Sequence, residues 1–193
     1  MFHRIAFATL AMTAALALAT TLAAAAPASP ASSANKSQQV ERGRYLVTIM
    51  GCNDCHTPLK MGANGPEPDM SRMLSGHPAS QVITKAPRAA DGPWMGIVSN
   101  TMTAWAGPWG VSFTANLTPD LDTGLGLWTP EAFIQTIRNG RHQVQGRPLL
   151  PPMPWQNIRL ASDDDLRAIF AYLQSIPAVS NRVPQPIDPQ QGS

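Results

Sequence analysis

"GCNDCHTP", residues 51–58, holds both cysteines of the chain and one of its four histidines. Two thiols three residues apart, with histidine directly after the second, suit few chemistries. A Cys52–Cys55 disulfide would close a very small ring and gives His56 no part. A zinc site wants four ligands, and neither a second cysteine pair nor a nearby His-x3-His is present. A thioredoxin-like motif expects a βαβ pattern, which is missing. Cys52-x-x-Cys55-His56 is instead the attachment spacing of a c-type haem. Two thiols reach the two vinyl groups on one side of a porphyrin, and the next residue turns an imidazole nitrogen towards the iron. Both cysteines are consumed as thioethers. The expected cofactor is therefore one covalently bound haem c, with His56 on the metal.

That chemistry belongs outside the cytoplasm, and the N-terminus agrees. "MFHRIAFATLAMTAALALATTLAAAAPA" (1–28) has an early arginine, a small-apolar stretch and an alanine-rich end, the three-part form of a secretory signal. Ala23 and Ala25 satisfy the cleavage pattern, giving a signal peptide over 1–25, a flexible Ser/Ala/Pro linker over 26–36 and a periplasmic location. The alternative is an uncleaved N-terminal anchor, the one direct route to a membrane besides a partner complex. Without the signal about 165 residues remain, enough for one modest domain. Of the 14 basic residues Arg4 falls in the signal, leaving 13 against 12 acidic ones. This balance, with no basic run, argues against nucleic acid as a partner.

The 19 prolines and 14 glycines imply a chain built largely from loops, which need something other than backbone pairing to hold them. Three helices nevertheless stand out. "SQQVERGRYLVTIMG" (37–51) has Ser37 as an N-cap, Val40, Gly43, Val47 and Met50 on one face, and Gly51 to close it. Gly43 inside a helix costs about 1 kcal/mol relative to alanine, which a close crossing with another helix would explain. "TPEAFIQTIRNG" (129–140) runs from N-cap Thr129 and Pro130 to Gly140. "SDDDLRAIFAYLQSIP" (162–177) starts at Ser162, places aspartates at the positive end of the helix dipole, and repeats Leu166, Ile169, Phe170 and Leu173 at helical spacing. Residues 57–115 show no sustained period. Within them "MGIVS" (95–99) and "GVSFTA" (110–115) are expected to pair as one short β-hairpin. The expected architecture is mainly α, helices around a haem, with a long Pro/Gly-rich loop insertion. The domain spans 37–180, and 181–193 form a disordered tail.

The other side of the iron needs a ligand. Met153, in "PLLPPMPWQNI" (148–158), is braced by prolines that hold a thioether in place at low entropic cost. Such a soft, neutral ligand raises the reduction potential relative to a second histidine. His77 and His142 are the rival ligands, and Met61, Met70, Met73, Met95 and Met102 are expected as padding over the haem plane, with one of them as an alternative to Met153 on the iron. Trp128 and Trp155 could donate indole N–H groups to haem carboxylates or serve as plain core aromatics. Arg138, Arg141 and Arg147 are candidate carboxylate partners. "TPDLDTG" (118–124) lacks the calcium-loop pattern.

With the haem motif, "ANLTPDLDTGLGLWT" (115–129), "IRNGRHQVQGRPLLPPMPW" (137–155) and "DDDLRAIFAYLQSIP" (163–177), residues 38–180 resemble the class I c-type cytochromes, specifically the single-haem modules found with bacterial periplasmic dehydrogenases. The resemblance implies a cytochrome c-like fold, His56 as proximal and Met153 as distal ligand, and terminal helices crossing through Gly43, Tyr45, Ile169 and Tyr172. It places Asn116, Thr118, Gly124, Gly126 and Trp128 along one haem edge. The segment from Thr57 to Ala115 departs from minimal members by its length.

A haem ligated on both faces has no position for substrate. The expected function is one-electron transfer, from a dehydrogenase or quinol-linked donor to a cytochrome or oxidase, by a carrier that is not itself an enzyme or is an electron-transfer subunit of a dehydrogenase complex. Brief docking at an apolar rim fits the near-neutral charge. The alternative is an open-site haem protein, peroxidase-like or gas-binding, should Met153 not ligate.

Overall fold

The computed structural model describes residues 30–85, 93–143 and 145–189. The expected signal over 1–25 and the last four residues of the expected tail lie outside them.

Helix α1 (Pro30–Ile49) is longer at its start than the sequence suggests. The expected linker is helical from Pro30 onwards. Ser37 is therefore not an N-cap: its hydroxyl donates to the Ala34 carbonyl one turn back, the bond a serine makes inside a helix. Gly51 ends the helix at φ 67°, a left-handed conformation that glycine adopts without steric cost. The chain then turns directly into α2 (Cys52–His56).

Helices α3 (Pro130–Asn139) and α5 (Asp163–Leu173) match their sequence signals closely. The Thr129 and Ser162 side chains accept from the backbone N–H groups of Ala132 and Asp165, satisfying donors that a helix start leaves orphaned. The short α4 (Trp155–Ile158) joins them. α1 crosses α5 where Gly43 lies: a Cβ there would overlap the Ala168 carbonyl and reach within 2.8 Å of the Tyr172 Cβ. The costly glycine thus has the reason its position implied. Leu46, Val47, Phe133, Ile137, Leu166, Ile169 and Leu173 form the core between these helices. Leu166 and Leu173 are almost wholly buried, worth about 1.5–3 kcal/mol apiece.

The long insertion is not structureless. Strands β1 (Leu59–Gly62) and β2 (Gly65–Pro68) make a two-stranded antiparallel sheet through a two-residue turn, Ala63–Asn64. A second sheet has the order β3–β4–β5, with β3 (Ile97–Val98), β4 (Ala104–Gly107) and β5 (Gly110–Phe113). The expected hairpin between 95–99 and 110–115 is therefore corrected: Ala104–Gly107 lies between the two and pairs with both. Strands of two to four residues are too short to print an alternation, and AWAG carries none. Ala104, Ala106, Val111 and Phe113 form a second, smaller core.

The expectation of a disordered tail from 181 is also corrected. Val183 and Ile187 pack on the second core, and Ile187 exchanges backbone hydrogen bonds with Val111. Asn181 is 4% exposed. Its amide nitrogen donates to the carbonyls of Ser75 (2.7 Å) and His77 (2.9 Å), while its oxygen accepts from the Ala79 N–H (3.0 Å) and Arg72 (3.1 Å). One polar side chain thus fastens the last segment to the insertion. Among the described residues, no helix is long and apolar enough to cross a membrane.

Candidate functional site: a cavity walled by the CxxCH turn

A cavity of about 980 Å³ opens between the helices and the second sheet, and Cys52, Cys55, His56 and Met153 all line it. Ligand pockets run from about 300 to 1,000 Å³, so this one suits a large group. Val47, Leu125, Phe133, Ile137, Ile169 and Leu173 supply apolar wall. Of the lining residues, Leu121 and Leu127 are 62% and 76% exposed, and Arg147 and Arg182 are exposed too. These mark a rim of leucines and arginines.

The turn that carries the cysteines is held on both sides. Thr57, fully buried, donates through its hydroxyl to the Asn53 side chain (2.8 Å) and accepts from the Leu74 N–H (2.9 Å). The Gly76 N–H donates to the His56 carbonyl at 2.8 Å. His56 Nδ1 lies 2.8 Å from the Ala115 carbonyl. A carbonyl only accepts, so Nδ1 carries the proton and Nε2 keeps a lone pair for a metal. Burial lowers the pKa of His56, which favours that neutral form.

Burial acts the opposite way on the thiols. It pushes Cys52 up to about 11 and raises Cys55 as well, with Asp54 adding to both shifts. Both cysteines are free. Both shifts run opposite to the depressed pKa of redox-active cysteines.

Met153 sits half-buried against the helical core. Its N–H donates to the Leu150 carbonyl at 3.2 Å, closing a turn over Leu150–Met153, and Pro154, the N-cap of α4, follows directly. The methionine is pinned by structure before and after it. Of the two rival histidines, His77 is excluded by its bonds: Nε2 donates to the Gln81 carbonyl (2.9 Å), and Nδ1 accepts from the Thr103 hydroxyl (3.0 Å). His142 does line the cavity, edge-on to the Trp128 ring with centroids 5.3 Å apart.

Asn116 lines the cavity too, but its amide is occupied elsewhere. It donates to the Val179 carbonyl (2.8 Å) and accepts from the Thr118 N–H and hydroxyl, so it braces the wall. Trp155, expected at the cofactor, is not on the cavity. Its ring packs on the backbone of Gly140, with the Arg159 guanidinium 5.6 Å from its centroid. Arg138 pairs with Asp163 at 2.5 Å, and Arg141 donates to the Gly146 carbonyl at 3.1 Å. Of the three arginines singled out, Arg147 alone lines the cavity. Met61, Met70 and Met95 are exposed and, like Met73 and Met102, do not line it.

No family model matches the chain. It is 26% identical over 86% of its length to the fructose dehydrogenase cytochrome subunit of Gluconobacter japonicus, matching 27% of that protein. To the cytochrome c subunit of alcohol dehydrogenase (quinone) from Gluconobacter oxydans it is 27% identical over 69% of its length, matching 20% of that protein. Over a shorter span of 67 residues it is 36% identical to the gluconate 2-dehydrogenase cytochrome c subunit of Pantoea cypripedii, covering 35% of this chain and 15% of that one. The chain is similar to cytochrome c subunits of bacterial dehydrogenases. It spans about a quarter or less of the length of these relatives.

Several contributors to the site had no sequence signal. The Ala115 oxygen that orients His56 is backbone, and any residue could supply it. Arg182, Val183, Pro184 and Gln185 line the cavity from a segment whose composition suggested a tail. Ser112, also on the wall, is an ordinary serine in a strand of four residues.

Proposed function

We propose that the chain is an exported one-electron carrier with a cytochrome c-like fold, binding one haem c through thioethers of Cys52 and Cys55, with His56 and Met153 as its metal ligands. The observation that carries this is convergence. Met153 is far from the CxxCH turn in sequence, yet it lines the same apolar cavity as both thiols and a neutral imidazole with a free Nε2. When bound, haem c supplies a reversible one-electron iron couple.

The chain's own residues do the rest. His56 presents a nitrogen of fixed orientation, and the Ala115 carbonyl on its other nitrogen strengthens it as a donor. Met153 offers a soft thioether that favours the reduced metal. The leucine and isoleucine wall excludes water, and Arg147 and Arg182 at the rim suit carboxylates of a bound group. Docking at the leucine rim gives brief contacts with redox proteins, a dehydrogenase as donor and a cytochrome or oxidase as acceptor, in the periplasm. The names of the similar proteins support this class of partner.

The test is spectroscopic. The intact mass of the exported protein should exceed that of the mature polypeptide by one haem. Its ferric form should show the weak near-infrared sulfur-to-iron band, and its ferrous form should refuse carbon monoxide. Met153→Ala should lose the band and bind the gas. A bare polypeptide sinks the reading, and a native protein that takes up carbon monoxide supports the open site instead.

A further inference from the structure

Segment 112–115 touches both ends of the site. At one end of 112–115, the Ala115 carbonyl accepts from His56 Nδ1 at 2.8 Å. At the other, the Ser112 hydroxyl lies 2.6 Å from the Pro151 carbonyl. Ser112 is 8% exposed and lines the cavity. Its hydroxyl has one proton to give. A second acceptor, the Trp105 carbonyl, stands at 3.3 Å, so the shorter contact takes the proton. Pro151 belongs to the turn that the Met153 N–H closes on Leu150. Proline cannot donate from its own backbone, and Pro151, Pro152 and Pro154 leave this loop few N–H groups with which to tie itself down. The serine supplies a tie from outside.

We infer that Ser112 is a positioning residue for Met153, and that segment 112–115 acts as a caliper setting the spacing between Met153 and His56. The caliper rests on the sheet. β5 pairs with β4 on one side, and Val111 bonds to Ile187 of the C-terminal segment. The inference depends on the His56/Met153 reading above.

Ser112→Ala removes the tie and leaves the Pro151 carbonyl without its partner. Losing a hydrogen bond of this kind shifts an equilibrium roughly fivefold to tenfold. The equilibrium to read is displacement of Met153 in the ferric holoprotein as pH rises, followed by the near-infrared band. Its midpoint should fall by up to about one pH unit, while mass and haem attachment stay unchanged. Val111→Ala is the comparison, since it empties a neighbouring core position without touching the Pro151 carbonyl. It should lower thermal stability and leave the midpoint in place. An unchanged midpoint in Ser112→Ala overturns the inference alone. Equal shifts in the two variants reduce Ser112 to a stability role and overturn it as well. A native protein without the band overturns this inference and the ligation reading together.

Discussion

The two halves of the wall around the cavity are built by different rules. On the helical side, α3 and α5 carry their own caps and apolar stripes, and α1 contributes one glycine where α5 presses against it. On the other side, strands of two to four residues pair with near neighbours in sequence, while the segments around them are tied by partners far away: Leu117 on Leu74, Val111 on Ile187, Asn181 on Ser75 and His77. The first half is local and repetitive, so each element has its own reason to form. The second half has short local strand pairs, and its docking depends on distant partners. A change at a helix crossing should therefore disturb packing, whereas a change in the insertion should break a hydrogen-bond network.

The largest effect is expected at the crossing. Gly43→Ala sets a methyl against the Ala168 carbonyl, which is backbone and cannot step aside. Overpacking of this kind costs about 3 kcal/mol or more, to be read as a lower urea midpoint with an unchanged slope. A variant as stable as the parent would mean that the helices can slide apart, and the contrast between the halves would weaken. Next comes Asn181→Ala, which strands the buried Ser75 and His77 carbonyls. The expected loss is about 2–3 kcal/mol, and protection of the Val111 amide from hydrogen exchange should fall with it. If the segment were a passive tail, neither quantity would move.

The smallest effect is a pH dependence confined to the insertion. Burial lowers the pKa of His77 from its ordinary 6.5, so the unfolded chain takes up the proton first as pH falls. Stability from this group is complete above about 6.5 and declines as pH drops towards the lowered folded value. His77→Gln should flatten this acid-side decline in denaturation midpoints measured between about pH 7.5 and pH 5. An equal slope in both proteins would place the acid sensitivity elsewhere; His142, shifted the same way by burial and Arg147, is the other group to try.

How much of the site is legible follows the same division. Cys52, Cys55 and His56 stand in one short motif and Met153 among prolines, so each draws notice in the sequence, and the structure brings the four to one cavity. Trp155 misleads because an indole before a helix suits a carboxylate or a packing role equally well; the bare backbone of Gly140 draws it away from the cavity. Asn116 does stand on the cavity wall, yet its amide is engaged with Val179 and Thr118. The C-terminal segment looks dispensable because Asn181 is one polar residue among prolines, and nothing nearby in sequence shows the four partners it meets.

The sequence by itself determined helices α3 and α5 with their caps, the closely crossed glycine and the turn bearing both thiols and an imidazole. Each of these depends on residues within a turn or two of one another. Tertiary structure alone decided that residues 181–187 fasten to the insertion, through Asn181 and through Ile187 on Val111, and that backbone oxygens of Ala115 and Pro151 link the 112–115 segment to His56 and to the Met153 turn. The ties of Asn181, Ala115 and Pro151 join residues tens of positions apart, each with a backbone carbonyl on at least one side, so no local pattern of side chains could announce them.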